Sequence, residues 1–132
     1  MCESFNGEPD IEWSPRSTPD EFDVTVKLRS GRKQQVVIAP TDEDKNIPFR
    51  QLQIFSIGGP AQTHHYELAL RRNARLPHGT IAVRDIAGRP HFVIVENHSR
   101  AKVSPEDLAR SVRHIARHAD EVEKFLSGDD VN

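Results

Sequence analysis

Cysteine is almost missing from this chain: Cys2 is the only one in 132 residues, so no disulfide can form within it, and the count fits a reducing compartment. Long apolar runs are missing too. Nothing approaches the roughly 20 consecutive residues that cross a bilayer as a helix, and the acidic opening MCESFNGEPD lacks the basic and then apolar segments of a secretory leader. The expectation is a cytoplasmic protein with no membrane partner. An excess of charge is also lacking. With 18 Lys and Arg against 20 Asp and Glu, the formal net charge is -2, which gives no global attraction to a phosphate backbone, and no nucleic-acid partner is expected. No internal repeat or low-complexity tract is visible, and the length fits a single domain.

Assembled catalytic groups are absent as well. Cys2 lies in a proline-rich opening, and no serine sits in the strained strand-to-helix turn that activates a nucleophile. The segment IGGPAQT places Gly58 and Gly59 before a helix, but it lacks the spaced glycines and lysine of a phosphate loop, and Pro60 removes a backbone donor. Seven histidines invite a metal hypothesis. His114 and His118 have the i, i+4 spacing that sets two imidazoles on one side of a helix, with Glu121 three residues on, yet the intervening IAR carries no glutamate base. A wheel puts His118 at the flank of the apolar stripe and His114 further toward solvent, so both read as surface residues. His64 and His65 diverge by about 100° at a helix entry that reads as solvated, and His78, His91 and His98 are scattered over turns and a strand. No metal, no cofactor and no enzymatic activity are expected.

What is present is pattern. Residues 1–20 mix Pro9, Pro15 and Pro19 with Gly7, a composition that resists helix and strand alike and reads as a mobile N-terminal arm. Trp13, beside Ile11 in that arm, is large enough to pin it to the body. From Glu21 the period becomes two. Phe22, Val24, Val26 and Leu28 alternate with polar residues, RSGR turns at Gly31, KQQVVIAP returns until Pro40 stops it, and FRQLQIFSI forms a third strand after the polar loop TDEDKNIP.

The stretch from Gly58 to Pro77 reads as a helix capped by Thr63, with Tyr66, Ala69, Leu70 and Ala74 at helical spacing and Pro77 forbidding continuation. A hairpin follows, Ile81 to Asp85 and His91 to Glu96. The last helix starts at Ser104-Pro105, with Glu106 and Asp107 at the positive end of its dipole, and Gly128 is its natural stop. Leu108, Val112, Ile115, Ala119, Val122 and Leu126 form one apolar stripe. Arg110, Arg113, Arg117 and Lys124 lie opposite among acidic residues, with Arg117 spaced to pair with Glu121. A solvated face accounts for them.

The fold class expected is therefore α+β: an antiparallel sheet of about five strands with two helices, in the order β-β-β-α-β-β-α, over residues 21–132. LALRRNARLPHGTIAVRD and ADEVEKFLSGDD resemble shared segments of the YbjN and type III secretion chaperone-like superfamily. The likeness rests on Asn73 near the helix end, Leu76-Pro77-x-Gly79 leading into a strand, and Ala119-Asp120-x-Val122-Glu123 in the last helix. It implies a secretion-chaperone-like fold and a non-enzymatic homodimer that holds a client protein or peptide segment. The secretion chaperones open with a helix, which the proline-rich arm here does not match.

A separate physical argument points the same way. Two helices cover only part of a five-stranded sheet, yet apolar residues occupy both faces of its central strands. Leu52, Ile54, Phe55, Ile57, Val93 and Val95 are therefore the expected partner-binding or dimer-interface residues. The expected function is a non-catalytic, chaperone-like or regulatory protein-binding module acting as a homodimer, and the alternative is a small metal-binding protein or enzyme using surface histidines. The corner NARLPHGTIAVRD is expected to be structural: Asn73 bonds nearby backbone, Leu76 anchors the exit, and Pro77 and Gly79 redirect the chain.

Overall fold

A computed structural model describes residues 9–16, 21–41, 51–99 and 102–131, with side chains as far as Leu126 in the last helix. Cys2 and most of the loop TDEDKNIP lie outside the described residues. Six antiparallel strands form one sheet: β1 (Ile11–Pro15), β2 (Phe22–Lys27), β3 (Lys33–Thr41), β4 (Gln51–Pro60), β5 (Thr80–Ile86) and β6 (Arg89–Ser99), in the spatial order β1-β2-β3-β4-β6-β5. Helices α1 (Tyr66–Asn73) and α2 (Pro105–Val131) complete the α+β fold. Their inward side chains join one aliphatic core on a single side of the sheet.

The sixth strand is β1, from the segment expected to resist strand formation. It pairs with β2, setting Ile11 opposite Val26 and Trp13 opposite Val24. Composition misled because proline is tolerated where no ladder donor is required: β1 is an edge strand, and Pro15 is its last residue. Trp13 does pin this segment, meeting Phe22 edge to face at 6.3 Å between ring centroids. Asp10 then receives both arms of the Arg113 guanidinium, at 2.9 and 3.0 Å, tying the entry of β1 to α2.

Two further strands outrun their expected stops. Pro40 lies inside β3, where Ala39 to Thr41 extend past Phe22, the first residue of β2, and among the described residues no β2 partner pairs with the proline on that side. β4 runs through Gly58, Gly59 and Pro60, with a register shift at Ile57/Gly59. The glycines there let the helix approach closely: a Cβ on Gly58 would sit 3.0 Å from Val122 Cγ1, and one on Gly59 would sit 3.1 Å from Leu126 Cδ1.

The entry to α1 also differs from expectation. Thr63 opens a short 3-10 turn, Thr63–His65, after an extended Gln62, and no side chain caps the turn or α1. Tyr66 and Ala69 pack against the core, whereas Leu70 is 69% exposed. An eight-residue helix cannot turn every apolar position of its sequence inward.

α2 follows its pattern closely. Every member of the expected stripe is buried, from Leu108 to Leu126. Ser104 Oγ accepts from the Asp107 N–H at 3.0 Å, the reciprocal of the orphan donors at a helix start. The helix does not stop at Gly128 but continues to Val131.

Candidate functional site

Strand alternation divides the six expected interface residues between the two sides of the sheet. Leu52 and Ile54 face α2 in the core, 2% and 0% exposed, and are closed to a partner. That part of the expectation is corrected: the strand is apolar on both faces, but the helix claims the Leu52–Ile54 row. Phe55, Ile57, Val93 and Val95 share the opposite face, with Phe55 paired to Val95 and Ile57 to Val93 across β4 and β6.

Val37 of β3 and Ala82 of β5 extend this row on either side. Among the described residues no helix packs on this face. Ile57 is 37% exposed and Phe55 and Val95 are half-buried, whereas Val93 is 1% exposed and so, like Leu52 and Ile54, closed to a partner. Arg84 lays its guanidinium over the Phe55 ring at 4.4 Å from the centroid, and its NH2 group donates to Gln53 Oε1 at 2.7 Å. The result is a narrow apolar row with a polar rim of Gln53, Asn97 and Thr80.

The chemistry-bearing side chains gather on the other side, around α2. In a cleft of about 230 Å³, Ser111 donates to Glu96 Oε2 at 2.5 Å, and His98 Nε2 lies 3.2 Å from Ser111 Oγ and 3.5 Å from Glu96 Oε1. The cluster joins a serine, a histidine and a carboxylate, but the serine hydrogen already points at the carboxylate, and Ser111 is 4% exposed in the middle of a helix. A nucleophile needs the hydroxyl open to substrate and its proton directed at the base. This arrangement instead holds α2 to β6.

His78, on the corner before β5, reaches the same cleft and stands 5.0 Å from His114, ring centroid to centroid; His118 stacks 6.2 Å beyond at 17° between planes. The sequence spacing of His114 and His118 thus becomes a three-imidazole row with a member no spacing argument could supply. His118 was expected at the surface but is 7% exposed; Arg72 of α1 reaches across to Glu121, three residues further along α2. Its Nδ1 lies 3.4 Å from Glu121 Oε2. Burial holds the His118 pKa below its ordinary value, opposed by Glu121, while Arg117 and Arg72 add to the fall. Burial likewise lowers His114, with Arg117, His78 and His118 adding to it and Glu96 opposing. Among the described residues no group of three or more His, Cys, Asp or Glu is arranged to hold a metal ion.

His65 departs from expectation as well. Rather than standing in solvent, it is 1% exposed between the Phe92 and Phe125 rings, 6.5 and 6.1 Å away.

A larger groove, about 890 Å³, runs between the outward side of α2 and the end of β2 with the turn after it. The expected Arg117–Glu121 pair does not form there. Arg117 donates to His114 Nδ1 at 3.1 Å, and Glu121 is taken by Arg72 of α1 at 3.1 Å. Compared with known proteins, the chain matches no family model, and no curated protein matches it.

Proposed function

We propose that this chain is a non-catalytic protein-binding module, chaperone-like or regulatory, that works as a homodimer through the outer face of its sheet. The observation that carries this reading is the row Phe55, Ile57 and Val95, flanked by Val37 and Ala82, on the face no helix packs against. Apolar side chains grouped on an open face lower the free energy when another surface removes them from water, at about 25 cal/mol per Å². A second copy is the occupant best matched to such a face, since a two-fold axis brings each row onto its equivalent and requires no other gene product. The sequence texture around Asn73–Gly79 and Ala119–Glu123 supports a place in the YbjN and secretion chaperone-like class, as does the succession of three strands, helix, two strands and helix after β1.

The test is sedimentation equilibrium across micromolar concentrations, with Ile57→Glu as the probe. Ile57 is exposed and outside the core cluster, so this substitution is expected to leave the circular dichroism and unfolding midpoint of the chain nearly unchanged while converting dimer to monomer. A native chain that stays monomeric at about 100 μM, well above the concentration range of functional homodimers, removes the reading.

A further inference from the structure

The groove along α2 has a charge imbalance that its own side chains do not relieve. It is lined by six basic residues against four acidic ones, in a chain whose formal charge is -2. Three of the four acids are already engaged. Asp10 is held by Arg113, itself a lining residue. Asp120 is held by Lys124 at 3.3 Å but also, at 3.1 Å, by Arg32 from outside the groove. Glu121 is drawn off by Arg72, again from outside.

Arg113 and Lys124 are used in those pairs, and Arg110 pairs with Asp107 at 3.4 Å from outside the groove, which leaves Lys27, Arg29 and Arg117 over on the two walls. Lys27 and Arg29 stand at the end of β2 and in the turn after it, exposed and with no carboxylate partner among the described residues. Arg117 stands on α2 and spends its hydrogen bond on a neutral imidazole. Opposing them is Glu106, a carboxylate with no ion-pair partner among the described residues. Each of the two walls therefore offers cations to whatever lies between them, and His114 adds positive charge to the same groove when protonated.

We propose that this groove takes an extended acidic segment of a partner protein. The groove follows α2 from Glu106 to Lys124, about 27 Å at 1.5 Å per residue, which suits a chain rather than a compact anion, and carboxylates on consecutive residues of an extended strand alternate toward both walls. The inference borrows from the reading above only the class of partner; it uses a surface on the opposite side of the sheet from the proposed dimer row. A monomeric chain that still binds the peptide would retire the dimer and keep the groove.

The experiment is fluorescence anisotropy of the full chain with a labelled peptide of consecutive Glu residues, its Gln counterpart, and oligothymidylate of equal charge, at low and high salt. The Glu peptide is expected to bind at least tenfold more tightly than the Gln peptide at low salt, and to weaken as salt screens the groove. Arg29→Glu with Arg117→Glu is expected to lower its affinity tenfold or more. Both residues are exposed, so the fold should tolerate them. Glu106→Gln guards against misfolding as the cause of a loss, because it is expected to raise affinity two- to threefold. Equal binding of the Glu and Gln peptides, or affinities unmoved by these variants, overturns the proposal. Tighter binding of oligothymidylate than of the Glu peptide overturns it in favour of nucleic acid.

Discussion

Gly79→Ala is the sharpest probe of the corner between α1 and β5. Gly79 has φ +81°, in the left-handed region, and a Cβ built there would lie 2.9 Å from Ile115 Cδ1, with the Val95 carbonyl oxygen at 3.4 Å and Ile94 Cγ2 at 3.5 Å. The backbone term costs about 1–2 kcal/mol for a residue with a side chain. Crowding adds about 1 kcal/mol, the low end of the range for overpacking, because the atom in the way is the tip of a side chain. Ile115 is 0% exposed, so that tip has little room to swing aside. The total expected is about 2–3 kcal/mol, read as a lowered urea midpoint with an unchanged slope. Ile115→Val alone, deleting Cδ1, should cost about 1 kcal/mol. The double variant is the decisive measurement: the new methyl occupies the space the deleted one vacates, so the two costs should sum to more than the double variant shows, by about 0.5–1 kcal/mol. Additive costs would refute the packing argument and leave only backbone strain.

Two other outcomes follow from the same region. Asn73 accepts from the Ile81 N–H at 2.6 Å and donates to the Ile81 carbonyl at 3.0 Å, so Asn73→Ala strands two half-buried backbone groups and should cost about 2 kcal/mol. Asn73→Asp keeps only the acceptor and should fall between the two, and calorimetry that places it level with the native chain would contradict the account. The second outcome concerns pH. The folded chain holds His114 and His118 below their ordinary pKa, so it binds fewer protons than the unfolded chain, whose histidines titrate near about 6.5. Their contribution to stability is complete above that value and is lost as pH falls through the depressed folded values. Glu123, raised by burial, acts in the opposite sense at lower pH, so the window to measure ends near about pH 5. Urea midpoints should drop on acidification within it, and His114→Asn with His118→Asn should flatten the slope; a native midpoint that rises instead would reverse the assignment.

Much of this fold is legible because period and punctuation agree. The α2 stripe, its Ser104 cap and the alternation in β2 each state their own partner-facing side. The histidines show where such reading stops. A wheel drawn on α2 knows only the stripe that meets the sheet, and His118 lies at its flank, so its burial to 7% exposure is set by tertiary packing the wheel does not contain. His78 joins the row for the same reason, and no spacing in α2 can announce it. β1 failed differently, because Pro9, Pro15 and Pro19 dominate its composition while Ile11 and Trp13, two residues apart, carry the pairing signal.

The interface residues pose the harder version of this problem, and β4 contains its solution. Leu52–Ile54 and Phe55–Ile57 are equally apolar, so hydrophobicity alone cannot say which pair lies under the helix. Carried through the whole strand, the two rows differ in what surrounds those pairs. The first continues from Leu52 and Ile54 to Ser56 and Gly58; the second begins with Gln51 and Gln53 and runs through Phe55 and Ile57 to Gly59, so each reaches a glycine at the register shift. A helix seated against a sheet needs a low point where its own bulky side chains can enter, and Gly58 provides it beneath Val122. Gln51 and Gln53 in turn need water or polar neighbours for their amides, as Gln53 finds in Arg84 and Asn97. The glutamines decide the matter: the row that begins with them must face outward, taking Phe55 and Ile57 with it, and the helix takes the other.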